Sequence, residues 1–128
     1  THMKNLLYLL LFTLTFSACK KDKNDLELSQ VVHGEYFGDY YVHNGTRYEF
    51  TTTNYAIVYI SRMSPESVEY KLVTETGQAT LYDVQVKMES GDVLLTYKQY
   101  LIGRYRNGVL TVYEPDNHNF YIVATRKQ

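Results

Sequence analysis

The sequence predicts an all-β fold: an antiparallel, up-and-down meander of about eight strands closing into a small barrel, with a short helical turn ahead of it. A two-sheet β-sandwich is the alternative. Three observations carry this. From Gly34 onward, apolar residues recur at every second position over short runs, the period of a strand with one buried face. Seven clusters of turn-forming residues separate the runs, and both prolines fall inside them. Tyrosine, well suited to a pleated, half-buried surface, occurs fourteen times in 128 residues, thirteen of them beyond residue 30, with no tryptophan.

The first element in chain order is a leader. Thr1-His2 precede Met3 and read as a cloning remnant. Lys4 then supplies a positive n-region, Leu6 to Phe16 an apolar h-region, and Ser17-Ala18 the small residues a signal peptidase needs. Eleven helical residues reach about 17 Å, short of the ~30 Å hydrocarbon core, so this is a signal and not a span. The next residue is Cys19, the only cysteine, which leaves no partner for an intramolecular disulfide. "FSAC" resembles the lipobox of bacterial lipoproteins, with Phe16 where leucine is commoner. The resemblance implies a diacylglyceryl group on the Cys19 thiol, cleavage ahead of it, and a membrane anchor made by several acyl chains. Lys20 and Lys21 after the cysteine imply the outer membrane of the cell envelope.

"KKDKND", residues 20–25, is charged and buries nothing, so it reads as a flexible leash. The layout is a leader over 1–18, a tether over 19–25 and one β domain over 26–128. In "DLELSQVVHG", Leu28, Val31 and Val32 stand at helical spacing between Asp25, a candidate N-cap, and Gly34, a candidate stop.

Strands are expected near 34–43, 46–53, 55–62, 67–74, 79–88, 92–105, 109–114 and 119–126. Alternation turns Tyr48, Phe50 and Thr52 to one face of the second. It does the same for Val68, Tyr70 and Leu72 in the fourth, and for Tyr82, Val84, Val86 and Met88 in the fifth. Asn44-Gly45 and Asn107-Gly108 are the pairs a type I′ hairpin demands, because both central residues need positive φ. Asn54, "MSPES", "ETGQ", "ESGD" and "PDNHN" mark the remaining turns. The sixth run is long for a single strand, and Gly103 or the Tyr97 to Tyr100 region is where it would bend or split. An even number of antiparallel strands can close, and closure removes exposed edges.

The helical lead-in followed by "GEYFGDYYV" resembles the opening of the lipocalins and their calycin relatives, whose first strand begins Gly-x-Trp; Gly34, Glu35 and Tyr36 occupy those positions here. That family places an arginine near the last strand over the aromatic, which makes Tyr36 and Arg126 the candidate barrel-base pair. Tyrosine replaces the tryptophan, and no second or third family motif is evident. The resemblance implies a cup for a small molecule. Tyr36, Tyr40, Tyr48, Phe50, Tyr70, Tyr82, Tyr97 and Phe120 fall on faces read as inward, an aromatic interior suited to a small amphipathic or sugar-like ligand. The same rings could instead fill the barrel solid.

Catalysis, metals and nucleic acid find little support. From Val31 to Gln128 nine Lys and Arg stand against eleven Asp and Glu with the signs interspersed, so no basic stripe suits nucleic acid. His33, His43 and His118 lack metal-ligand spacing. No nucleophile elbow or phosphate loop occurs. Glu35 and Asp39 lie about 13 Å apart along a strand, beyond a glycosidase pair. The expectation is a non-enzyme without cofactor or metal. The second functional class is an interaction module docking on another envelope protein through outward rings. Tyr41, Tyr55, Tyr59, Tyr105, Tyr113 and Tyr121, on mixed faces, are its candidates.

Overall fold

Alternating side chains cover a core only if the strands curl around it, and nine of them do so or extend one that does. The computed structural model describes residues 27–115 and 117–128. The leader, Cys19, the tether and the Asp25 cap therefore lie outside the described residues. A single helical turn, α1 (Leu28–Val32), leads into β1 (Gly34–His43), β2 (Thr46–Glu49), β3 (Ala56–Ser64), β4 (Ser67–Thr74) and β5 (Gly77–Glu89). Then follow β6 (Asp92–Tyr97), β7 (Tyr100–Arg106), β8 (Val109–Glu114) and β9 (Asn117–Arg126). Every pairing is antiparallel, in the order β2-β1-β3-β4-β5-β6-β7-β8-β9, and β1 also pairs with β9. That last pairing runs from Tyr36↔Arg126 to His43↔Phe120. It makes the molecule a closed eight-stranded, lipocalin-like barrel with one extra strand, not a sandwich.

The eight barrel strands are not quite the eight expected. Residues 92–105 form two strands, β6 and β7, joined at Lys98-Gln99, where φ is +48° and +74°. These are type I′ angles without the Asn-Gly chemistry that normally announces them, so the turn left only a length signal. The 46–53 run stops at Glu49, leaving Thr52 in an exposed loop. β2 pairs only with the outer half of β1, while β3 takes the inner half. It therefore lies outside the ring of eight.

Bulges decide which residues face inward. In β1, Gly38 pairs with Ala124 and Tyr40 with Val123, so Asp39 is an extra residue. In β5, Leu81 pairs with Tyr70 and Val84 with Val68, so two residues oppose Glu69, and Asp83 has φ +59°. One extra residue exchanges the faces of everything beyond it. Tyr41 and Leu81 consequently face inward, whereas Tyr40 and Tyr82, expected inside, face outward. Met88 and Tyr48 are corrected too: at 53% and 44% exposure, one lies near the strand's end and the other on the strand outside the ring.

The barrel is solid in the half nearer α1. Tyr36, Val58, Ile60, Val68, Val84, Leu95, Leu110 and Ala124 are essentially inaccessible there. α1 is too short to hold itself together and is docked from outside. Glu27 receives two hydrogen bonds from Arg62, at 2.6 and 3.1 Å, and the Ser29 amide donates to the Pro65 carbonyl. Gly34, rather than stopping the helix, is the first residue of β1.

The candidate base pair meets here. The Tyr36 hydroxyl donates to the Val32 carbonyl at 2.6 Å. The Arg126 guanidinium donates to the carbonyls of Val31 (2.7 Å) and His33 (3.1 Å) and to the Tyr105 hydroxyl. It lies 5.9 Å from the Tyr36 ring centroid and 5.1 Å from that of Tyr105. This end of the barrel is plugged by its own side chains and capped by α1.

Candidate functional site: a chamber at the open end

At the opposite end the barrel is hollow. There the inward positions carry branched aliphatics and rings that line the wall without meeting at the axis. The result is a cavity of about 440 Å³. Its deep wall is Tyr70, Ile102, Val112 and Ile122, and its upper wall Leu72, Leu81, Tyr97 and Phe120; Tyr113, Glu114 and Pro115 form the rim. The volume falls within the range of small-molecule pockets. A second recess of about 270 Å³, between Tyr41, Phe50, Tyr55 and Thr74, adjoins it and shares Phe120 and Ile122 as a partition.

The recess exists because β1 leaves β3 at Gly38 and turns to β2, opening a gap in the wall. Phe50 fills part of it. A Cβ on Gly38 would lie 2.8 Å from the Phe50 ring and 3.0 Å from the Ala56 carbonyl oxygen, so only glycine permits this seat. Phe50, Tyr48 and Phe120 cluster around Tyr41, with centroid separations of 5.2, 5.1 and 5.8 Å. Together they form an aromatic lip on one side of the mouth.

Of the eight rings expected inside, Tyr70, Tyr97 and Phe120 line the chamber and Phe50 the adjoining recess. Tyr36 is buried in the base. Tyr40 lies outside beneath the Arg47 guanidinium, 3.7 Å from its ring centroid. Tyr48 contributes only to the lip, and Tyr82, 57% exposed, points to solvent. Sequence reasoning missed Leu81 and Tyr41, which the bulges turned inward. The available signal was an aspartate inside each alternating run, since aspartate is disfavoured in strands but tolerates left-handed backbone. Of the rings proposed for docking, Tyr105 is buried, Tyr41 belongs to the lip, and Tyr55, Tyr59, Tyr113 and Tyr121 are half-buried, the last two being direct cross-strand partners.

Charge is nearly absent from the chamber. Among the described lining residues the one ionisable acid is Glu114, exposed at the rim, and there is no Lys, Arg or His. Lys98 stands near the mouth, its ammonium 5.3 Å from the Tyr97 ring centroid. Tyr70 is only 6% exposed, and its hydroxyl makes no hydrogen bond with any described residue. Burial pushes its phenol pKa well above the ordinary tyrosine value, so the group stays protonated. No cluster of three or more His, Cys, Asp or Glu that could hold a metal ion occurs among the described residues.

Comparison of the chain with protein-family profiles, with curated proteins and with solved structures returns no match.

Proposed function

We propose that this protein is a non-catalytic binding protein of the bacterial cell envelope, anchored by lipid on Cys19, that holds a small and largely apolar ligand in the open half of a lipocalin-like barrel. The carrying observation is the asymmetry of the interior: one half is packed solid while the other encloses about 440 Å³ behind apolar walls. An unfilled apolar chamber costs lost dispersion contacts, which a ligand would restore. The wall chemistry favours an amphipathic molecule over a sugar, whose many hydroxyls would lack partners there. The lipobox resemblance supports the anchor.

The test uses N-phenyl-1-naphthylamine, a neutral dye that brightens in apolar surroundings. Saturable binding at one site is expected, and Leu81→Trp, which places an indole in the chamber, should abolish it while leaving the β-sheet circular dichroism unchanged. A wild-type chain that takes up no dye, or a folded L81W protein that binds as well as wild type, would sink the reading. Metabolic labelling with palmitate tests the anchor: label is expected on the wild-type chain and lost in Cys19→Ser.

A further inference from the structure

Resting on that binding reading, we infer that the ligand enters the chamber with a neutral, hydrogen-bond-accepting oxygen leading, a carbonyl, ether or hydroxyl oxygen, and that Tyr70 donates to it. The argument begins with depth. Along β4 the inward residues run from Val68, inaccessible and packed in the base, through Tyr70, to Leu72, half-buried nearer the mouth. Tyr70 is thus the innermost β4 residue to line the cavity.

The Tyr70 ring is buried but its hydroxyl opens on the chamber, where water can reach it; a ligand that displaces that water without offering an acceptor would cost about 1–3 kcal/mol. The other two phenols most deeply buried are treated differently. Tyr36 donates to the Val32 carbonyl, and the Tyr105 oxygen accepts from Arg126. Tyr70 alone of these three has neither contact and faces a cavity. Tyrosine fills this position no better than phenylalanine would if packing were the whole purpose.

The surroundings then select the acceptor. A carboxylate or phosphate pushed this deep would meet no cation among the described lining residues, and an unpaired buried charge is far more costly than an unpaired dipole. A cation would fare no better, since Glu114 stands at the rim. Charge on the ligand is admissible only at the trailing end, where Lys98 and Glu114 border the mouth. The high phenol pKa keeps the donor proton in place throughout the physiological range.

The experiment compares two ligands of one shape, 2-acetylnaphthalene and 2-ethylnaphthalene, by displacement of N-phenyl-1-naphthylamine from the full chain and from Tyr70→Phe. The ketone-to-hydrocarbon affinity ratio should fall about five- to tenfold in the variant, with the hydrocarbon's own affinity little changed. A ratio that is the same in both proteins would overturn the inference while leaving the chamber reading intact. Failure of both compounds to bind either protein would overturn the chamber reading and this one with it. Infrared spectroscopy gives a measurement that needs no variant. The carbonyl stretch of wild-type-bound 2-acetylnaphthalene should lie below its position in hydrocarbon solvent, and an unshifted band would refute the hydrogen bond.

Discussion

Arg126 offers the sharpest test of how the closed end is held. Its guanidinium reaches two main-chain carbonyls around α1, the Tyr105 hydroxyl and two aromatic rings, and no carboxylate pairs with it among the described residues. Replacement by methionine keeps most of the aliphatic stem and strips away every polar contact. Hydrogen bonds to a charged group contribute about 1.5–3 kcal/mol each when counted singly, and each cation–π contact about 1 kcal/mol. The sum overstates the effect, because the guanidinium also regains hydration on unfolding and the contacts share one head group. A net loss of about 3 kcal/mol follows, a large share of the 5–15 kcal/mol that typically stabilises a domain.

Urea denaturation reads it directly. With a slope of about 1.5 kcal/mol/M, the midpoint of Arg126→Met should fall by about 2 M. Arg126→Lys, which keeps the charge but cannot span three acceptors, should fall by roughly half as much. Adding Tyr105→Phe to R126M should cost little more, because the hydroxyl has already lost its donor. Hydrogen exchange should report amides 28–33 opening ahead of the barrel. If R126M moved the midpoint by less than about 0.5 M, or if R126K matched it, the guanidinium would not be the clasp described here.

Three further outcomes follow from particular residues. Gly38→Ala should destabilise by about 1–3 kcal/mol in the same assay, since the new methyl displaces Phe50 against the fixed Ala56 carbonyl, and it should speed dye release from the chamber. Asp92 is buried against Arg104 (2.8 Å) and Arg106, and those hydrogen bonds, Arg104's first, hold its carboxyl below the usual range. Its contribution is therefore complete above the unfolded-state pKa near 3.9 and disappears as pH falls through the lower folded value. Asp92→Asn should lower stability at neutral pH and flatten its fall in acid, as a urea series between about pH 7 and 2 would show. Gln99→Gly, at φ +74° in the β6–β7 turn, should raise stability by about 0.5–1 kcal/mol in thermal denaturation by relieving a left-handed side chain.

The local signals were sufficient for the class of fold. Period-two alternation, as at Val68, Tyr70 and Leu72, and turn pairs such as Asn44-Gly45 are properties of a few adjacent residues, so they are legible in a linear chain. The spacing of Tyr36 and Arg126 at opposite ends of the β domain was legible for another reason: an up-and-down barrel with an even number of strands must bring its first and last strands together.

What the linear chain could not decide is which face of a strand survives a bulge, and where a barrel stops being full. The extra residues at Asp39 and Asp83 are extra only relative to their partners Ala124–Val123 and Glu69, far away in sequence. They alone put Tyr41 and Leu81 inside and Tyr40 and Tyr82 outside. The chamber is likewise a volume left over after distant side chains have packed. Tyr70 becomes an unpartnered donor only because eight strands, each unremarkable by itself, enclose it without offering an acceptor.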